Sequence, residues 1–137
     1  MDQRISFITL AVKDVAKARA FYVDGLGWKP ELDVPGEVIM FRAGPHLVLS
    51  LWDRKAFEAE VGVKPPEGPA PITLAHNVPT RQEVDGILAH AKKAGANPVA
   101  LAEERDWGGY SGYFADPDGF RWEIAWNPGA IGKMVLP

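Results

Sequence analysis

Ile8-Thr9-Leu10-Ala11 and Ile72-Thr73-Leu74-Ala75 are the same tetrapeptide, 64 residues apart in a chain of 137. The surroundings give the match its weight. Each copy is followed by a capping residue, a helical pattern, a glycine and then further strand patterns, which is the signature of one unit built twice. A duplication of this kind also acts as a ruler. Each position in one half can be checked against its counterpart in the other.

Working outward from the first copy, residues 5–12 are β-branched and apolar and predict a strand. Asp14 is placed to cap a helix, with Ala18, Phe21 and Tyr22 at helical spacing and Gly25 as a left-handed stop. Strand patterns follow near residues 28–32, 38–42 and 46–52. Asp53 caps a short helix that ends at Gly62. From the second copy, Thr80 and Glu83 form a capping box. Val84, Ile87, Leu88 and Ala91 make the apolar stripe, and Gly95 ends the helix. Strands follow near residues 98–103, 110–115 and 121–126. The expected organisation is one domain: module one over residues 4–62, a proline-rich linker over 63–71, module two over 72–127 and a loosely attached tail over 128–137. Each module reads strand–helix–strand–strand–strand, an α+β fold.

Asp116-Pro117-Asp118-Gly119 is a hairpin signal, with proline presetting a type I turn and Gly119 taking the left-handed position. A three-residue loop, the preferred reading, sets Tyr113 opposite Glu123 and Ser111 opposite Ala125. A two-residue loop would set Gly112 opposite Glu123 instead. Opposed residues of an antiparallel pair share a face.

Composition excludes several function classes. The formal charge of −3 gives no reason to expect nucleic acid or an anionic membrane as partner. The chain has no cysteine, so disulfides, thiolate metal sites and cysteine nucleophiles are out. No apolar run is long enough to span a bilayer, and a cytoplasmic protein is the expectation. Gly25-Leu26-Gly27 lacks the third glycine of a nucleotide fingerprint, and no Ser-His-Asp arrangement is visible. The histidines His46, His76 and His90 show no ligand spacing, and a surface or structural role is expected for each.

The paired βαβββ pattern, Phe21-Tyr22 leading to Gly25-Leu26-Gly27-Trp28, and the run from Tyr113 through Asp116-Pro117-Asp118-Gly119 to Glu123-Ile124 together resemble the vicinal oxygen chelate superfamily. Its members include glyoxalase I, extradiol dioxygenases, fosfomycin-resistance enzymes and bleomycin-binding resistance proteins. The resemblance covers roughly residues 4–127. It implies an incomplete barrel of strands around a cavity, and commonly a homodimer. It also implies a divalent metal held from the first and last strands of each module. Those positions fall on Phe7, Leu49 (with Ser50 as neighbour), Pro71 and Glu123. Three of them offer no donor, and metal sites need three or four N or O ligands. The expectation is therefore a site with no metal and no other cofactor.

What remains is a candidate ligand site of Phe7, Thr9, Leu49, Trp107, Tyr110, Tyr113 and Glu123. Glu123 could anchor a ligand cation or amine, act as a general base, or serve cavity structure through Tyr113, Arg42 or Arg105; these readings stay open. Tyr113 could donate to a ligand oxygen, or pack across the strands. The resemblance to bleomycin-binding proteins implies that Trp107, ahead of Gly108-Gly109, lies against a planar ligand; the other reading is a Trp that closes the barrel end or a dimer contact. Trp122 and Trp126, of opposite parity to Glu123, are expected under the helices. The leading expectation is a metal-free binder of a planar or aromatic small molecule. The alternative is a metal-independent isomerase or lyase with Glu123 as base and Tyr113 as acid. A metal-dependent glyoxalase or dioxygenase ranks last.

Overall fold

The computed structural model describes residues 1–137. The chain divides into two compact units, Met1–Glu67 and Gly68–Pro137. Each is a βαβββ module with one four-stranded mixed sheet, so the fold is α+β as the duplicated pattern predicts.

In the first unit the strands are β1 (Phe7–Val12), β2 (Leu32–Val34), β3 (Val38–Gly44) and β4 (Leu47–Asp53), in the sheet order β1-β4-β3-β2. β1 and β4 run parallel, while β3 is antiparallel to both its neighbours. Helix α1 (Val15–Arg19) starts where Asp14 accepts the Lys17 N–H. It widens into a π-helical turn, Ala20–Gly25. There the Leu26 N–H bonds the Phe21 carbonyl five residues back, at 2.8 Å. This turn absorbs the stop expected at Gly25, and the positive φ falls on Gly27 instead. The strand expected near residues 28–32 is also displaced. Trp28 sits among Tyr22 and Phe41, with ring centroids at 5.5 and 5.3 Å, and the strand begins only at Leu32. Those rings join Leu10, Val12, Ile39 and Leu51 in the core of this unit. Helix α2 (Arg54–Val61) is capped by Asp53 and ended by Gly62 at φ 75°.

The second unit repeats the plan with β5 (Thr73–Asn77), β6 (Val99–Glu104), β7 (Tyr110–Ala115) and β8 (Arg121–Trp126), in the order β5-β8-β7-β6. Helix α3 (Arg81–Lys93) is capped by Thr80, whose hydroxyl accepts the Glu83 N–H at 3.2 Å. The same hydroxyl donates to the Glu83 carboxylate, so the box closes side chain to side chain. Val84, Leu88 and Ala91 bury the stripe of α3, and Gly95 follows at φ 105°. Gly112 is where the helix meets the sheet. A Cβ there would lie 2.5 Å from Leu88 Cδ1 and 2.8 Å from the Ala100 carbonyl oxygen and the Ala102 nitrogen. Those backbone atoms belong to an irregularity in β6, where Leu101 and Ala102 together oppose the single Gly112 of β7. The C-terminal segment carries a short helix, α4 (Ala130–Met134), with Gly132 buried against Asn127. No helix is long and apolar enough to cross a membrane.

Candidate functional site

Strand alternation sorts the second sheet into two faces. Gly112, Phe114, Trp122 and Ile124 turn to α3. Ser111, Tyr113, Ala115, Arg121, Glu123 and Ala125 turn away from it. The turn chemistry of Asp116–Gly119 sets this register. The Gly119 N–H bonds the Asp116 carbonyl, and the Asp116 N–H bonds that of Phe120, both at 3.0 Å. Gly119 has φ 89°. The Asp116 carboxylate accepts the N–H groups of Asp118 and Phe120 from inside the turn. This is the three-residue loop, and it sets Tyr113 opposite Glu123.

The pair is in contact. The Tyr113 hydroxyl donates to Glu123 Oε1 at 2.8 Å. Glu123 makes no other side-chain hydrogen bond or ion pair, so Oε2 remains available to a donor. Burial holds the Tyr113 phenol above its ordinary pKa, and the hydrogen bond and charge of Glu123 add to that. Arg105 pulls the other way, its Cζ lying 5.6 Å from the centre of the Tyr113 ring. Arg105 is pinned on three sides. Nε donates to Ser111 Oγ at 3.0 Å, Nη2 to the Ser111 carbonyl at 2.9 Å and Nη1 to Glu103 at 2.6 Å. Ser111 is fully buried. The arrangement is a carboxylate with one free oxygen, a protonated phenol fixed to the other, and a cation behind the phenol.

Trp107 lies on the β6–β7 loop. Gly108 there takes φ 88°, and the Arg105 N–H bonds the Gly109 carbonyl. Its ring folds over Gly109, where any Cβ would collide with it at 1.6 Å, yet 53% of the residue stays exposed. On β1, Phe7 (56% exposed) and Thr9 share the face opposite the buried Leu10 and Val12.

Two expected site residues lie on the other faces. Leu49 is beside Ile8 in the parallel register and is 3% exposed, on the helix side of its sheet. Ser50 is the residue beside Thr9. Matching Trp52 to Trp126 misplaced Leu49, because Trp52 stands beside Ala11 on the face of Ser50 and Thr9, whereas Trp126 stands opposite Tyr110 on the helix face. Tyr110 donates to Asp85 of α3 at 2.9 Å and lies under Arg81, on the helix side with Trp126. Its odd separation from Tyr113 is the sequence signal that would have placed it there. Pro71 precedes β5, and the β5 residues beside Arg121 and Glu123 are Thr73 and Ala75. Sequence reasoning named Arg105 only as a possible partner of Glu123, whereas it bonds Ser111 and Glu103, and it did not include Ser111 or Arg121 in the site. Arg121 and Ser111 were findable, since both share parity with their neighbours Glu123 and Tyr113.

The divalent metal implied by the resemblance does not fit these side chains. In the first unit Phe7 and Ser50 supply no carboxylate; in the second, Thr73, Ala75 and Glu123 supply one, and Tyr113 occupies one of its oxygens. No three His, Cys, Asp or Glu side chains converge anywhere in the chain.

Residues 4–124 match the model of a family described as the Glyoxalase/Bleomycin resistance protein/Dioxygenase superfamily. Among solved structures, a glyoxalase-related enzyme from Fulvimarina pelagi is 36% identical, with a TM-score of 0.85, 93% of this chain and 94% of that one being covered. A hypothetical protein from S. aureus is 25% identical at TM-score 0.77, with coverage of 93% and 95%. A lactoylglutathione lyase from Agrobacterium tumefaciens is 25% identical at TM-score 0.68, with coverage of 92% and 95%. No curated protein matches the chain.

Proposed function

Because this chain belongs to the Glyoxalase/Bleomycin resistance protein/Dioxygenase superfamily, we propose that it binds a small organic molecule, without a resident metal, on the face of its second sheet that carries Tyr113 and Glu123. One observation carries the reading. The Tyr113 hydroxyl fixes one oxygen of Glu123 at 2.8 Å and leaves the other unengaged. A half-buried carboxylate held in one orientation is a preorganised acceptor for a ligand N–H or ammonium. The exposed indole of Trp107 offers a flat apolar surface for an aromatic ligand. The step from Tyr110 to Tyr113 alone covers about 10 Å of strand, so a ligand that reaches both Glu123 and the Trp107 loop is an elongated one.

The test is a titration of planar aromatic amines followed by tryptophan fluorescence, with and without a chelator. The chelator leaves binding unchanged. Glu123→Gln weakens it roughly tenfold or more, the worth of one charge-assisted hydrogen bond. Trp107→Ala weakens the aromatic ligands selectively. Binding that survives both substitutions intact would refute the assignment.

A second reading is metal-independent proton transfer. The phenol of Tyr113 is held protonated beside a carboxylate. Glu123 would then remove a proton from carbon and Tyr113 would stabilise the oxygen of the resulting enolate. Exchange of a ligand C–H for deuterium in heavy water, abolished in Glu123→Gln, distinguishes this from binding alone.

A further inference from the structure

Arg4, Arg19, Arg42, Arg54, Arg81 and Arg105 each hold an acidic partner within 4.0 Å. The remaining arginine, Arg121, holds none. It is no stray surface residue. It sits on β8, an inner strand of the second sheet, half-buried. Its register neighbours are Ala115 on β7, which is buried, and Thr73 on β5. Neither can neutralise a guanidinium. Two residues along the same strand, on the same face, is Glu123 with its free oxygen. Their Cα atoms are about 7 Å apart along the strand. The two side chains do not pair with each other.

We propose that the ligand of this face is a zwitterion of the α-amino acid class, its carboxylate held by Arg121 and its ammonium by Glu123. This rests on the binding reading above and names its substrate class. A guanidinium presents a planar fork that matches a carboxylate in two parallel hydrogen bonds. A carboxylate fixed by a phenol accepts an ammonium at its second oxygen. An α-amino acid carries both charges on one carbon, so the two heads converge on it through charge-assisted contacts of about 2.8 Å each. The exposed hydroxyl of Thr73, beside Arg121, is placed to serve the same carboxylate. Opposed charges two residues apart also give selectivity. A purely anionic ligand meets repulsion from Glu123, and a purely cationic one from Arg121.

The experiment compares L-phenylalanine, N-acetylphenylalanine, phenylalaninamide and N-acetylphenylalaninamide by calorimetric titration of the full chain. The zwitterion binds roughly tenfold or more tighter than either half-blocked form, and the doubly blocked form binds weakest. In Arg121→Gln the advantage of phenylalanine over its amide disappears, and Arg121→Lys restores part of it. In Glu123→Gln the advantage over the N-acetyl form disappears. Thermal melts of each variant confirm that it is folded. Equal binding of all four compounds, or Arg121→Gln without effect, overturns the zwitterion assignment. If the planar amines still bind through Glu123, the broader reading survives it. Absence of binding in both series overturns both.

Discussion

Replacing Tyr113 by Phe removes one atom and tests the centre of the site. The hydroxyl donates to a carboxylate oxygen at 2.8 Å, and a hydrogen bond to a charged group contributes about 1.5–3 kcal/mol when buried. Glu123 is only half-buried, so water compensates part of the loss and about 1 kcal/mol remains. For a chain of this size that corresponds to a fall in Tm of about 3–5 °C. Urea unfolding followed by tryptophan fluorescence reads it as a lower midpoint at unchanged slope. The pH dependence is more specific. The phenol is held above its ordinary pKa in the folded state, first by burial and then by Glu123. Its contribution is therefore full below the unfolded value of about 10, and is lost as pH rises through the folded value. The gap between wild type and Tyr113→Phe stays level up to about pH 10 and closes above it. Tyr110, raised by its bond to Asp85, is present in both proteins and cancels in the difference. In Glu123→Gln the Tyr113 phenolate forms at lower pH than in wild type, because two of the causes that raise it are weakened. Equal midpoints at neutral pH, together with parallel alkaline fall-off in wild type and Tyr113→Phe, would refute the coupling.

Gly112→Ala costs about 1–3 kcal/mol, because the new Cβ presses on backbone atoms of β6 that cannot rotate away. Adding Leu88→Ala relieves only the methyl contact and does not restore stability in urea unfolding; a stabilised Gly112→Ala would contradict the close approach. Asp116→Ala removes the acceptor of two backbone N–H groups from a buried turn and lowers stability by about 1–3 kcal/mol, with Asp116→Asn retaining most of it. Identical melts for the two Asp116 variants would show that the carboxylate does not organise the hairpin.

The pairing of Tyr113 with Glu123 was legible because it depends on one short turn. Proline, aspartate and glycine in sequence choose the loop, the loop chooses the register, and strand alternation then sets Tyr113 opposite Glu123. The caps Asp14, Asp53 and Thr80 were legible for the same local reason. The same alternation contained the correction for Tyr110, three positions from Tyr113 and so on the other face. The left-handed glycine at 27 rather than 25 was not legible, because a π turn forms where packing of Phe21 and Tyr22 makes the extra residue tolerable.

The duplicated tetrapeptide and its flanking patterns determined the α+β architecture, since strand and helix periods are written in local residue order. Tertiary structure alone decided what depends on residues far apart in the chain. The parallel pairing of β1 with β4 placed Leu49 in the core and Ser50 beside Thr9, because a parallel register is set by packing and not by a turn. The irregularity in β6 and the contact of α3 with Gly112 likewise have no local code. Charge pairing belongs to the same class. Which arginines find a carboxylate is settled by distances of a few ångströms in the folded molecule. Only there does Arg105 become the clasp of Ser111, while Arg121 stays unpaired on the face of Glu123.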